Sequence, residues 1–361
     1  MVKVKKAYIE ALRILAIFLV LFQHVPAFDY YLNEPDLFHE ILFIFFDLIA
    51  KINVPLFLMI SGSLLLTKEE RYIMIFRKRM IKIIIAILVF NFFVYMAEHD
   101  FVVDLTAYII GVFENGIDRS YWYLYSYLGF LLMLPLLHRI CRNMKASDFW
   151  IILFIHFVFS TIEPLIQFFV QTFLGQDFEF TWAFRIPFST TKEIFYPLMG
   201  FYIDRIVCVE KMQKKWIFTL GLATLTGMII SICFTIIGGN LYVYSDAYFE
   251  LFDYISAIFA FILIKRLFLS YKDQVNVSFQ NFIVKLGALT YGIYLWDPFF
   301  RKMIFDEFEM TLIPYFGGFI TSVLWCVFSF VLCGFIVSFL KRVPHIQKWF
   351  KKTNLSLEAL F

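Results

Sequence analysis

Apolar residues in this chain come in long unbroken blocks. Blocks near residues 7–27, 40–66, 80–97, 121–138, 149–172, 187–203, 216–237, 249–269, 281–299 and 312–340 approach or exceed the roughly 20 residues that a helix needs to cross a hydrocarbon layer about 30 Å thick. The pattern predicts an all-α polytopic membrane protein with about ten transmembrane helices. No internal repeat or low-complexity linker interrupts it, so residues 1–345 are expected to form a single integral membrane domain. After Pro344 the stretch HIQKWFKKTNLSLEALF sets Trp349 and Phe350 beside lysines, a mixture that suits the membrane interface. Residues 346–361 are therefore expected to be a short cytoplasmic interfacial tail.

The charges between the blocks orient them. With the N-terminus inside, the inner flanks collect Lys3, Lys5, Lys6 and Arg13, then the runs Lys68–Lys82, Arg139–Lys145, Arg205–Lys215, Lys265–Lys285 and Lys341–Lys352, which hold most of the 32 Lys and Arg. The outer segments collect acids such as Asp29, Glu34, Glu98, Asp104, Asp177, Asp246 and Asp306. Basic loops stay on the cytoplasmic side during insertion, so both termini are expected in the cytoplasm, most simply at a bacterial cytoplasmic membrane. The start of the chain superficially resembles a secretory signal. Its apolar run is long, ends in His24-Val25-Pro26, contains Glu10 and Arg13 and lacks a small-residue cleavage site, so it is expected to remain as the first helix.

Composition adds exclusions. At 61% hydrophobic and 17% charged residues, with a mean hydropathy of +0.77, the chain is too apolar for a soluble domain. A net charge of +3 and the lack of a basic, aromatic-interleaved surface argue against a nucleic-acid partner. The cysteines (Cys141, Cys208, Cys233, Cys326, Cys333) are odd in number and form no CxxC pair, so reduced thiols are expected. No two of the six histidines stand at ligand spacing, and no metal site is predicted. Neither a Gly-x-Ser-x-Gly elbow nor a Walker loop is present.

Candidate chemistry begins in the first block. In RILAIFLVLFQH, Arg13 and His24 are eleven residues apart, which on a helix is three turns plus roughly 20° and a rise of about 16 Å. They share one face, with Arg13 toward the cytoplasm and His24 in the outer half. Ionisable groups at membrane depth generally mark a functional path. The plainer reading has Arg13 snorkelling to the interface and His24 satisfied by a backbone carbonyl before Pro26. Glu10, one turn before Arg13, is placed to pair with it.

Farther on, Arg77, Lys78, Arg79 and Lys82 follow the helix NVPLFLMISGSLLL. They suit the phosphates of a nucleotide-type cofactor, or equally anionic lipid. His156 and Glu163, seven apart in the fifth block, read as an interhelical hydrogen-bonding pair or a proton site. The H-x4-D pattern occurs twice, at His24–Asp29 and His99–Asp104, and carries little weight.

The ordered set Arg13-x10-His24, VPLFLMISG, Arg79 in FRKRMIKI, YWYLYSYLGFLLMLPLL from Tyr121, FYPLMGFYI from Phe195 and LGALTYGIYLWDP from Leu286 resembles the acyltransferase-3 family of integral membrane acyltransferases, across essentially the whole chain. The resemblance implies transfer of an acyl group, often acetyl from cytoplasmic acetyl-CoA, to a hydroxyl of a cell-surface glycan or lipid-linked saccharide. It implies a catalytic role for His24 and cofactor-facing roles for Arg13 and Arg79, with Ser61, Gly62, Trp122, Tyr291 and Tyr294 as further family positions. The chain departs from many relatives after IYL, where Trp296 and Asp297 stand in place of a histidine. An aspartate there orients and charge-stabilises an imidazolium but does not replace a neutral base. No fused extracellular esterase-like domain is expected. A transporter or glycan exporter that lines its path with the same charges is the rival class, and a structural subunit of a glycan-assembly complex is a third.

Overall fold

The computed structural model describes residues 7–25, 37–114, 116–181, 191–238, 251–270 and 276–343. The expected tail at 346–361, Asp29 and the first lysines fall outside them. The helices are α1 (Ala7–Gln23), α2 (Leu37–Ala50), α3 (Asn53–Leu65), α4 (Tyr72–Ile75), α5 (Ile81–Glu98), α6 (Leu105–Glu114), α7 (Trp122–Asn143), α8 (Ala146–Phe157), α9 (Glu163–Leu174), α10 (Lys192–Arg205), α11 (Lys214–Gly238), α12 (Asp253–Ser270), α13 (Val277–Gly287) and α14 (Thr290–Leu340). No strand occurs among the described residues. Six segments there are long and apolar enough to cross a membrane: Ile41–Leu65, Tyr72–Glu98, Arg119–Asn143, Ala146–Leu174, Lys214–Ile237 and Thr290–Leu340. The chain is thus an all-α polytopic membrane protein.

The helix boundaries follow from local sequence. Residues 7–23 contain neither Gly nor Pro, and α1 stops where Pro26 would remove a hydrogen-bond donor and push Val25 toward extended geometry. The 51 residues of α14 would span a bilayer more than twice over, and they are broken at Gly317, whose φ of 71° and ψ of 169° are non-helical and open almost only to glycine. Boundaries also differ from the sequence expectation, since the expected block 281–299 is divided at residues 288–289 between α13 and α14. Residues 300–311, charged enough to read as a connector, continue the helix, because Arg301 and Lys302 pair with Asp118 and Glu98.

The chain divides into two compact units, Met1–Glu34 with Glu70–Pro135 and Asn276–Phe361, and Pro35–Glu69 with Leu136–Val275. In the first, α1 is buried along most of its length, with Leu12, Ala16, Ile17 and Leu21 fully enclosed. The end of α13 lies against it: a Cβ on Gly287 would stand 2.4 Å from Glu10 Oε2.

In the second unit α3 and α10 cross through two glycines. A Cβ at Gly62 would lie 2.0 Å from the carbonyl oxygen of Pro197, and one at Gly200 would lie 2.0 Å from that of Met59. Small residues let membrane helices approach backbone to backbone. Two stretches that carry the family resemblance, VPLFLMISG and FYPLMGFYI, therefore meet each other here. Backbone cannot yield as a side chain can, so Gly200→Val is expected to cost ~3 kcal/mol or more. A thermal-shift measurement in detergent checks this, and an unchanged midpoint would contradict the close crossing.

Candidate active site

His24 follows the last residue of α1, its N–H donating to the Val20 carbonyl at 3.0 Å. Its Nδ1 lies 3.1 Å from Asp297 Oδ2 on α14. Asp297 is fully buried, and its other oxygen accepts from Ser329 Oγ at 2.6 Å. Ser329 stands on the stretch of α14 beyond Gly317, which returns it to Asp297. An ionised carboxylate only accepts, so this pair calls for a proton on Nδ1 and leaves the lone pair on Nε2. Nε2 has no hydrogen-bond partner among the described residues. The result is an imidazole oriented by a buried acid with its basic nitrogen open.

A second polar cluster anchors the same helix. Asp118 caps a short 3₁₀ turn by accepting from Ser120 N at 2.7 Å. Arg301, four residues after Asp297, donates to Asp118 Oδ2 at 3.0 Å and to Ser120 Oγ at 2.9 Å. Tyr294 donates to the Ser120 carbonyl at 2.6 Å, and Tyr121 donates to the Leu295 carbonyl at 2.7 Å. These bonds tie residues 294–301 to residues 118–121 and so fix the part of α14 that carries Asp297.

Burial pushes the Asp118 carboxyl up, but the Arg301 guanidinium, the bonds to Ser120 and the nearby His24 outweigh it and hold the carboxyl below the usual carboxylate range. A carboxylate held low in the folded state contributes stability above its unfolded pKa and loses it as pH falls through the folded one. Asp118→Asn is expected to cost about 2 kcal/mol at neutral pH, a deficit that shrinks in acid below the usual carboxylate range. Thermal melts across that range check the sign.

The remaining candidates are distributed as follows. Arg13 is half-buried and donates through one terminal nitrogen to both oxygens of Glu10, at 3.1 Å each, and its Nε and second terminal nitrogen have no partner among the described residues. Arg79 sits in a π-helical turn, Phe76–Met80, and its Nε and one terminal nitrogen grip Glu70 at 3.1 and 2.8 Å. Single π turns recur at functional sites. Arg77 is exposed, and Lys82 is buried within electrostatic reach of Arg79 and Lys78. No hydrogen bond or ion pair among the described residues joins Arg13 to Arg77, Arg79 or Lys82.

Tyr291 buries its hydroxyl without a partner among the described residues, Trp122 is half-exposed, and Ser61 donates to the Phe57 carbonyl at 2.9 Å. Gly62 serves the α3–α10 crossing. His156 stacks on Phe195 with centroids 3.6 Å apart, next to a π turn at Val158–Ile162 that separates it from Glu163. His99 bonds the Tyr95 carbonyl while Asp104 caps α6, so that H-x4-D pair forms no joint site. Among the described residues no group of three His, Cys, Asp or Glu could hold a metal.

Sequence reasoning missed Ser329, Asp118, Ser120 and Arg301. Arg301 carried a signal, since it lies one helical turn from Asp297. Ser329 carried none, because its approach depends on the break at Gly317.

A histidine braced by a buried acid inside a polytopic helical protein is an arrangement that suits a membrane enzyme, and the chain can be placed in a family. The family model described as an acyltransferase domain matches residues 6–340, and the chain belongs to this family, acyltransferase-3. It is therefore a membrane acyltransferase, which takes an acyl donor and an acceptor in a lipid environment. No curated protein and no solved structure matches the chain.

Proposed function

We propose that this protein is an O-acyltransferase that moves acetyl from cytoplasmic acetyl-CoA to a hydroxyl of a cell-surface glycan or lipid-linked saccharide at the bacterial cytoplasmic membrane, with both termini in the cytoplasm. The observation that carries this reading is the 3.1 Å bond between His24 Nδ1 and the fully buried Asp297, which leaves Nε2 for a substrate proton. His24 takes the acceptor's hydroxyl proton as the oxygen attacks the thioester carbonyl. The new C–O bond forms, the C–S bond breaks, and the departing thiolate takes up the proton. Asp297 holds the imidazole in the right tautomer and balances its transient positive charge, and Ser329 holds Asp297. Arg13 and Arg79, each steadied by a glutamate and each with N–H groups that have no partner among the described residues, receive donor phosphates, with Arg77 and Lys82 adding positive potential.

Membranes bearing the chain, supplied with acetyl-CoA labelled in the acetyl group, are expected to place label on surface glycan in mild-base-labile form. If deleting the chain instead trapped glycan inside, with acetylation unchanged on whatever escaped, the reading would give way to an exporter.

A further inference from the structure

The unit formed by residues 35–69 and 136–275 contains a cavity of about 650 Å³ walled by α8, α10, α11 and α12, within the size range of ligand-holding sites. Among the described residues no charged side chain lines it. Its walls are residues such as Phe149, Met199, Ile203, Trp216 and Ile258, and the hydroxyls among the described lining residues belong to Tyr202, Thr219 and Tyr254. The Thr219 hydroxyl is already donated to the Lys215 carbonyl at 2.9 Å, and that of Tyr254 lies 3.4 Å from Thr161 Oγ1. Such walls would leave a sugar or a phosphate without partners. They match hydrocarbon.

Two more observations identify the hydrocarbon's owner. Trp150, Phe154 and Trp216 line the cavity yet are 64%, 65% and 56% exposed, and they stand on helices long and apolar enough to span. The cavity therefore opens sideways, where lipid tails lie. The wall that includes Ile203, Val207, Met212 and Trp216 also has a basic margin. Lys211, Lys214 and Lys215 are exposed on it, and Lys215 Nζ sits 5.5 Å from the centre of the Trp216 ring. Lys214 and Lys215 have no acidic partner among the described residues. Of the acids on this stretch, Asp204 is paired with Arg205 and Lys265, leaving Glu210. Basic pockets between membrane helices attract anionic head groups.

We propose that this cavity is a binding site for one anionic phospholipid, with hydrocarbon in the Phe149–Trp216 pocket and its phosphate held by Lys214 and Lys215. This site is independent of the His24–Asp297 pair and of the acceptor's identity.

Native mass spectrometry of the full chain tests the proposal, after purification in mild detergent and titration with phosphatidylglycerol or phosphatidylcholine of identical chains. Wild-type protein is expected to retain phosphatidylglycerol at one per chain and in preference to phosphatidylcholine. The surface double variant Lys214→Gln/Lys215→Gln is expected to bind phosphatidylglycerol about thirtyfold more weakly and to lose that preference. Ala223→Phe fills the cavity from the α11 wall and is expected to lower retention of both lipids. Retention unchanged in both variants would overturn the site. Equal affinity of the wild type for the two lipids would overturn the anionic occupant, and so would a co-purified lipid-linked saccharide or long-chain acyl-CoA in place of a phospholipid.

Discussion

His24→Gln is expected to slow acyl transfer by about 10²- to 10⁴-fold, the usual contribution of a positioned general base, while the protein still inserts and folds. Glutamine is the informative replacement. Its amide N–H can donate to Asp297, so the buried carboxylate keeps the partner that alanine would take away. It cannot accept a proton at neutral pH. Initial rates of labelled acetyl transfer, measured at matched amounts of membrane-embedded chain, give the loss, and a thermal melt of the purified variant shows whether stability moved with it. A large loss with an unmoved melt assigns the effect to chemistry. Transfer at the wild-type rate would remove His24 as the base.

The helical class was legible because a membrane helix must hide its backbone within itself, which forces blocks of apolar residues that no soluble pattern imitates. Helix ends were legible where a local device sets them, as Pro26 does after α1. They were not where tertiary pairing overrides composition: Arg301, Lys302, Asp306 and Glu307 look like a solvated connector, but ion pairs with Asp118 and Glu98 accommodate two of these charges within a helix. Of the site, the pairing of Glu10 with Arg13 came from their one-turn spacing. Asp297 stood out only through the resemblance, by occupying a place where relatives have another residue. Ser329 lies 32 residues away in sequence, and no periodicity links it to Asp297. The same limit applies to Gly62 and Gly200, which are visible as small residues while their reciprocal contact with Pro197 and Met59 is a fact of packing alone.

Asp297→Asn should cost nearly as much activity as loss of the histidine, about 10²-fold or more, and by a route that separates positioning from packing. Asparagine fills the same volume, so the helix around it keeps its shape. The Ser329 hydroxyl donates to one side-chain oxygen, and an asparagine that satisfies it turns its NH₂ toward His24. Nδ1 must then accept, the proton moves to Nε2, and the nitrogen that faces substrate has no lone pair to offer. The expected signature is a fall in kcat with little change in KM. Ser329→Ala removes only the hold on Asp297 and is expected to lose about tenfold, the lower end of what a single hydrogen bond to a charged group is worth. If Asp297 acts solely through the imidazole, the penalties do not add: His24→Gln/Asp297→Asn should be no slower than His24→Gln by itself. A double variant slowed by the product of the two single losses would mean that Asp297 does its work on something other than His24, and the paired-residue mechanism would have to be abandoned.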